Sequence, residues 1–308
     1  MSEGSVNEAA IGALVPLFRE LVDLKRLRAA HTSGSIAQRL FLRAWTRWTS
    51  GEELSRVARE ETARALVATK LAAVDAEILG SGGLDEAARR AIFERAFEAS
   101  SGALEPNFRA GLGQIARDLA AESAKTELQA PEFALLLANQ PRAGATRPGF
   151  ARVVLEPAEN HAEHCAIVAV GGAIAAPFFG AAPEAAFLTG LCHHFHNADL
   201  PDAGDAGDHL IGEHLSTLQD TFRARAIAQL PGELQCAARA SLDAVYRSDT
   251  PESRAFQTAD VLDRVLEMEW HARSAAFTLG VALEDMDIVH PGPVQAFQAQ
   301  IMRVAGLR

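Results

Sequence analysis

Histidine is concentrated in one segment of the chain. Seven of the ten histidines lie at positions 161, 164, 193, 194, 196, 209 and 214. Neutral imidazole binds divalent metal ions and also exchanges protons near neutral pH. Such clustering indicates a metal centre or acid–base chemistry, and we expect that chemistry in the second half of the chain.

Three short segments have residue types and an order that suit a metal centre. They are ENHAEHC at 159–165, LCHHFHN at 191–197 and ADVLDRVL at 259–266. The first is predicted to open a helix, the second to close the next helix, and the third to lie inside a later one. A histidine, a histidine pair and an aspartate from three helices can surround one divalent ion. They also leave positions open for water and a substrate.

These segments resemble the motifs of the HD-domain metal-dependent phosphohydrolases, and in particular of the 5′-deoxynucleotidase-like branch. AENHAEHCAIVA is similar to the helix that carries the family's first histidine, and LCHH stands in the place of its Leu-His-Asp doublet. DLP at 199–201 follows the doublet as in that branch. ADVLDRVLEM is similar to the last motif, which carries the final metal aspartate. The resemblance covers residues 150–285 approximately.

The resemblance implies that His164, His193 and Asp260 are metal ligands. His194 stands where the family has an aspartate, and we predict it as a further ligand. An imidazole can still bind a metal, although it cannot bridge two ions as a carboxylate does. The implied cofactor is a divalent ion, and the sequence leaves its identity open among Mn, Co, Mg, Zn and Fe.

The resemblance to the nucleotidase branch also implies which residues act on the substrate and which support the ligands. Asn197 stands where the nucleotidase branch carries a glutamate that acts as general acid and base, and an amide cannot exchange protons near neutral pH. Asp199 is therefore predicted to be the catalytic residue that handles protons. Arg152 lies near the place of the branch's phosphate-binding arginine, and Arg152 and Asn197 are predicted to bind the substrate. His161 and Glu163 are predicted to support the ligands without touching the ion.

Other charged residues are predicted to have ordinary structural roles. Asp263 and Glu267 share a helix face with Asp260, and we expect both to form a solvated stripe. The remaining aspartates of the loop 199–208 are expected to form turns and helix caps. The basic side chains between positions 19 and 47 are expected to form a solvated helix face.

Apolar residues recur every three or four positions along most of the chain, which is typical of amphipathic helices. Helices are predicted at 14–24, 35–48, 52–79, 85–100, 108–128, 131–138, 158–179, 183–197, 207–230, 233–246, 251–283 and 292–305. Only the short stretch 151–155 alternates as a strand would. The predicted fold class is therefore all-α.

The stretch NQPRAGATRPG at 139–149 interrupts the helical pattern with proline, glycine and arginine. It predicts a boundary between two regions. Residues 1–138 form an N-terminal helical region to which the sequence assigns no role. Residues 150–308 form an HD-domain-like, metal-binding helical bundle.

Net charge, cysteine count and the apolar segments limit the classes of partner and the location that we expect for this protein. The formal net charge is −11, and an acidic surface repels phosphate backbones, so we expect a small anionic substrate and no nucleic-acid polymer. Three scattered cysteines are too few for a disulfide framework. The start of the chain lacks a basic signal region, and the apolar run at 166–180 contains Pro177. These features predict a cytoplasmic protein with no membrane partner, and they leave a homodimer open.

The motifs and the composition together leave three possible functions. The first is an HD-type divalent-metal hydrolase that acts on a phosphorylated small molecule such as a nucleotide, with water as the nucleophile. The second is an HD-type iron oxygenase with a diiron pair, to which His209 or His214 would contribute a ligand. The third is a catalytically inactive HD-fold protein that binds a ligand or a partner, and Asn197 favours that interpretation.

Overall fold

The computed structural model describes residues 8–30, 32–122, 129–274, 278–284, 289 and 292–307. Within these ranges the chain forms helices and no sheet. Its extended segments make three isolated bridges, Arg28 with Ser35, Pro141 with Asn160 and Ala145 with Val153. The prediction of an all-α fold is confirmed.

The first seven helices come from the N-terminal region. They are α1 (Glu8–Asp23), α2 (Ile36–Thr49), α3 (Leu54–Leu71), α4 (Ala76–Ser81), α5 (Glu86–Ser100), α6 (Pro106–Leu119) and α7 (Glu132–Asn139). Several begin where the sequence supplies a capping side chain. Ser35 accepts a hydrogen bond from the Gln38 N–H, and Asp85 accepts one from the Ala88 N–H. Such caps satisfy backbone donors that the first helical turn leaves unpaired.

The remaining helices follow the loop after residue 139. They are α8 (His161–Phe179), α9 (Pro183–Cys192), α10 (Gly204–Ile211), α11 (Leu215–Ala228), α12 (Gly232–Leu242), α13 (Pro251–Ser274), α14 (Leu279–Glu284) and α15 (Gln295–Val304). Short 3₁₀ helices at Phe195–Ala198 and Gly212–His214 join α9 to α10 and α10 to α11.

Two long predicted helices are each divided in the structure. The helix predicted at 52–79 ends at Leu71, because Ala72 adopts a positive φ of 51°, and the chain restarts where Asp75 caps α4. The helix predicted at 207–230 is interrupted at Gly212, whose φ is 58°. A positive φ cannot continue a right-handed helix. The apolar periodicity continued across both breaks and so concealed them.

Helix α8 lies at the centre of the molecule. Sixteen of its 19 residues are buried, and small side chains let other helices approach it closely. A helix that is apolar on all sides belongs in a core or a membrane. By length and composition α8 is the one described helix that could cross a membrane, a weak indication, and 83% of its apolar window is buried inside the protein.

The N-terminal and C-terminal regions share one described core. Trp45 from α2 and Phe133 from α7 surround Phe195, with ring centroids 5.3 and 5.0 Å from that residue. All three rings are fully buried. Because Phe195 directly follows His194, the N-terminal helices help to fix the position of the histidine segment. The predicted domain boundary stays a prediction from composition.

Candidate metal centre

The first histidine segment opens α8 through a reciprocal cap. The Asn160 side chain accepts a hydrogen bond from the Glu163 N–H at 2.9 Å, and the Glu163 carboxylate accepts one from the Asn160 N–H at 3.0 Å. This capping box fixes where the helix begins. It places His161 and His164 one turn apart on the same side of α8. Glu163 thus has a structural role at the start of the helix that carries His164, and its predicted support of the ligands stays a prediction.

The second segment lies where α9 ends and the chain turns. His193 donates from Nδ1 to the Gly190 carbonyl at 2.8 Å, and His194 donates from Nδ1 to Oδ1 of Asn197 at 2.8 Å. The Asn197 amide in turn donates to the Leu200 carbonyl at 3.1 Å. A carbonyl oxygen only accepts hydrogen bonds, so Nδ1 of each histidine carries the hydrogen. The Nε2 atoms are therefore left with free lone pairs, the form that binds metal ions.

The predicted ligand atoms converge. Nε2 of His164 lies 3.0 Å from Nε2 of His193 and 3.4 Å from Oδ1 of Asp260. The His193 nitrogen lies 4.0 Å from the same carboxylate oxygen. A ring nitrogen of His194 lies within 4.8 Å of those of His164 and His193. Two ligands that each lie about 2.1 Å from one ion are roughly 3.0–3.4 Å apart when they subtend a right or tetrahedral angle at the ion. Both distances from His164 fall in this range, and the 4.0 Å between His193 and Asp260 corresponds to a wider angle at a shared ion.

Electrostatics keep these groups in the protonation states that bind a metal. Burial, reinforced by neighbouring His164, lowers the pKa of His193 to about 3. Burial also lowers the pKa of His194 well below its ordinary value. Burial would raise the pKa of Asp260, but the Arg264 guanidinium at 3.0 Å and the adjacent imidazoles outweigh that effect and hold the pKa well below its usual range. The Nε2 atoms of His164 and His193 lie 3.0 Å apart, close enough for one ion to contact both.

Behind His164 lies a buried charge cluster that the sequence did not reveal. Nδ1 of His164 donates to Oδ2 of Asp263 at 2.6 Å, and the Lys25 ammonium lies 2.6 Å from the other oxygen of the same carboxylate. The ammonium also lies 2.5 Å from Glu159 and 3.4 Å from Glu267. Glu159, His164 and Asp263 are close enough to suggest a second metal position, but Lys25 already supplies the positive charge there.

The predicted surface positions of Asp263, Glu267 and Lys25 are therefore wrong. Asp263 and Glu267 are buried, with 0% and 1% of their surface exposed, and Lys25 is only 3% exposed. The local sequence gave no signal for the burial of the acidic pair. Val261, Leu262, Val265 and Leu266 lie on the side of α13 opposite Asp263 and Glu267, which is the pattern of an amphipathic helix with an exposed polar face.

A cavity of about 570 Å³ opens beside the ligand atoms. His193, His194, Asn197 and Asp260 line it, together with two arginines, Arg142 and Arg264. A pocket of this size accommodates a small organic ligand. The cavity thus connects the convergent ligand atoms to a space that a substrate could fill.

Two of the three residues predicted to bind the substrate or transfer protons do not line this cavity. Arg152 is exposed and donates to the backbone carbonyls of Ala143 at 2.8 Å and Ala203 at 3.2 Å, so it ties two loops together. Asp199 is exposed, follows the 3₁₀ helix directly and is not among the lining residues. Asp202, three positions later, lines the cavity instead.

The other histidines separate into buried and exposed sets. His161 is fully buried, and its ring lies 4.8 Å from the ring of His194. Within the described residues neither ring nitrogen has a hydrogen-bond partner. His209 and His214 are exposed and do not line the cavity. The structure thus brings His161 next to a predicted ligand and keeps the other two away.

Acid should destabilise the metal-free protein. Burial lowers the pKa of His196 to about 4, whereas an unfolded histidine titrates near 6.5. Between those values the unfolded chain binds a proton that the native chain does not, so stability falls as pH decreases. His196 alone should lower the free energy of unfolding by about 2 kcal/mol between pH 6.5 and 5.

Urea unfolding at both pH values, with a chelator present, measures this loss. His196→Asn should reduce the difference between the two pH values, whereas His214→Asn, at an exposed position, should not. An unchanged difference in the His196 variant would show that the native and unfolded chains bind protons at this histidine equally between these pH values, so that burial does not lower its pKa.

Comparison of the chain with protein-family models, with curated proteins and with solved structures gives no match. The resemblance to the HD-domain family stays a prediction from the quoted motifs, and the geometry above supports only a possible metal-binding cluster of buried histidines and carboxylates in an all-α fold.

Proposed function

We propose that this chain is a divalent-metal hydrolase of HD type that acts on a phosphorylated small molecule of nucleotide size. The observation that carries the proposal is the convergence described above. Nitrogens of His164, His193 and His194 and an oxygen of Asp260 meet beside a 570 Å³ cavity. A divalent ion bound there would lower the pKa of a water molecule and offset charge on a phosphoryl oxygen.

The cavity offers a guanidinium to an anionic substrate. Burial would lower the pKa of Arg142, but Glu159 and nearby aspartates raise it, so the side chain stays charged. Arg142 lies 3.5 Å from Glu159 and lines the cavity. A guanidinium binds phosphate through two parallel hydrogen bonds. We assign to Arg142 the phosphate-binding role that the sequence assigned to Arg152.

Proton transfer requires a titratable side chain that faces the substrate. Asp202 accepts hydrogen bonds from the Ala143 N–H and the Gly204 N–H, each at 2.9 Å, and these contacts hold it at the cavity wall. Asn197 cannot transfer protons, and its amide is already hydrogen-bonded on both sides. Asp202 is therefore the group that we assign to proton transfer, in place of Asp199.

A matched pair of variants tests the function and the assignment together. Phosphate release from nucleoside monophosphates should require an added divalent ion and stop when a chelator is present. Asp202→Asn should lower kcat about 10²–10⁴-fold, the usual contribution of a general acid or base. Asp199→Asn, in the same loop but outside the cavity, should leave kcat unchanged.

Three outcomes would contradict the proposal. If no divalent ion supports phosphate release from any such substrate, the hydrolase function is wrong. If iron co-purifies and the protein consumes oxygen instead, the oxygenase takes its place, although the exposed positions of His209 and His214 give that alternative no support. If Asp199→Asn reduces kcat as much as Asp202→Asn, the proton-transfer assignment is wrong.

A further inference from the structure

Lys25 is a buried cation supplied by the N-terminal region to the charge cluster behind His164. It lies just after α1, in a turn closed by hydrogen bonds from the Lys25 N–H to the Val22 carbonyl and from the Arg26 N–H to the Asp23 carbonyl. Its ammonium reaches three carboxylates from residues more than 130 positions away in sequence. A buried charge with this many partners is expensive to maintain for packing alone.

The three carboxylates do not depend on Lys25 equally. Glu159 also lies 3.5 Å from Arg142, and Glu267 is also paired with Arg26. For Asp263, the ion-pair partners within 4 Å that the described residues provide are Lys25 and His164. Asp263 is therefore the carboxylate for which the ammonium matters most.

The ammonium forms an ion pair with both oxygens of Asp263 and donates a hydrogen bond to Oδ2. Nζ of Lys25 lies 2.6 Å from Oδ1 and 2.8 Å from Oδ2, while Oδ2 also accepts the Nδ1 hydrogen of His164 at 2.6 Å. A carboxylate held in this way cannot rotate away from the imidazole. Its hydrogen bond keeps the hydrogen on Nδ1 and so leaves the lone pair on Nε2, which points toward His193 and Asp260.

We propose that Lys25 is a positioning residue for the metal centre and acts through Asp263 to hold the His164 ring in its metal-binding tautomer and orientation. This inference rests on the proposed metal centre. It gives the N-terminal region a function in the site, since the helical bundle after residue 150 contains every ligand but not this cation. Partners that orient a metal-binding histidine typically change metal affinity by about 10–100-fold when they are removed.

Metal binding by the full chain tests the proposal without any substrate. Co²⁺ is titrated into the metal-free protein, its dissociation constant is measured by competition with a chelator, and the absorption spectrum of the bound ion is recorded. Lys25→Met should weaken Co²⁺ binding about 10–100-fold and change the spectrum, because His164 is no longer held. Lys25→Arg, which keeps a charge that can reach Asp263, should restore part of the affinity.

The matched control removes a buried ion pair elsewhere. Arg43 on α2 pairs with Glu61 on α3 at 2.7 Å, and Glu61 is fully buried. Arg43→Met should lower stability and leave the affinity and spectrum of Co²⁺ unchanged. This comparison separates a general loss of stability from a loss of positioning at the metal.

The outcomes distinguish this inference from the proposed function. If the wild-type chain binds Co²⁺ and a folded Lys25→Met variant shows the same affinity and spectrum, Lys25 is not a positioning residue. If Lys25→Met does not fold, Lys25→Gln, a polar side chain that lacks the charge and is one atom too short to replace the ammonium, takes its place with the same expected loss of affinity. If the wild-type chain binds no divalent ion, both the metal centre and this inference are wrong.

Discussion

Replacement of His193 by asparagine should remove tight binding of a divalent ion and leave the helices in place. The asparagine amide can replace the Nδ1 donor to the Gly190 carbonyl, which His193 contacts at 2.8 Å. It has no atom at the position of Nε2, which lies 3.0 Å from Nε2 of His164. Loss of a ligand should weaken binding by more than the roughly 10–100-fold expected for a supporting residue.

The measurement is the number of metal ions per chain after gel filtration, together with the circular dichroism spectrum. The matched control is His196→Asn, because His196 also lines the cavity and is also buried but lies outside the cluster of ligand atoms. The control should keep the wild-type metal content. If the His193 variant keeps one ion per chain, the ligand set proposed here is wrong.

The same substitution should abolish metal-dependent phosphate release while His196→Asn retains it. His193 contributes a neutral nitrogen because burial lowers its pKa to about 3, so the imidazole does not carry a competing proton at neutral pH. Loss of metal without loss of phosphate release would show that the hydrolase, if present, does not use this ion.

The convergence of His164, His193 and Asp260 could be anticipated from sequence, because the three segments carry recognisable residue types in a fixed order on separate helices. His164 and His193 are 29 positions apart and His193 and Asp260 are 67 positions apart, so each of the three residues belongs to a different helical segment. The orientation of each ring could not be anticipated, since it depends on single acceptors such as the Gly190 carbonyl and the Asn197 side chain. Such contacts leave no periodic signal.

The role of Lys25 could not be predicted for a related reason. Its partner Asp263 lies 238 positions away, and nothing in either local sequence indicates the pairing. Both residues carry charges that are ordinarily exposed, so each was assigned to a surface face. Only the fold, which places the end of α1 beside α13, brings them together.

For Asp199 and Arg152 the error is of the other kind, because the sequence predicted a functional role that their positions in the structure do not support. Arg152 stands near the place where the resemblance puts a phosphate-binding arginine, and Asp199 was predicted to replace the glutamate missing at position 197. Both are exposed and do not line the cavity. Asp202, three positions after Asp199, and Arg142, ten positions before Arg152, line the cavity instead. A motif fixes the order of residues, whereas the direction of a side chain in a loop depends on its local backbone and hydrogen bonds.

Replacement of Gly190 by alanine should destabilise the protein and weaken metal binding at the same time. A Cβ at this position would lie 2.5 Å from the Cα and backbone nitrogen of Ala169 on α8. Backbone atoms of a buried helix cannot move aside as a side chain can, so α9 must shift away from α8. Overpacking of a core typically costs about 1–3 kcal/mol, and we expect a loss at the upper end of that range.

The position of Gly190 connects this packing to the metal centre. The Gly190 carbonyl accepts the Nδ1 hydrogen of His193, which lies one turn later at the end of α9. His164 lies on α8, so a movement of α9 away from α8 also separates the two histidines. A shift of α9 therefore changes the distance between the two Nε2 atoms, which is 3.0 Å in the wild-type chain. Metal affinity should fall together with stability.

Urea unfolding of the metal-free protein and titration with Co²⁺ measure the two effects separately. The control is Gly111→Ala on α6, where an added Cβ meets nothing within 4 Å. That change should stabilise the helix by about 0.5–1 kcal/mol, because alanine loses less backbone entropy than glycine on folding. It should not alter metal affinity. If Gly190→Ala is as stable as the wild type, the close approach of α8 and α9 is not required, and the Nε2 spacing must be set by other contacts.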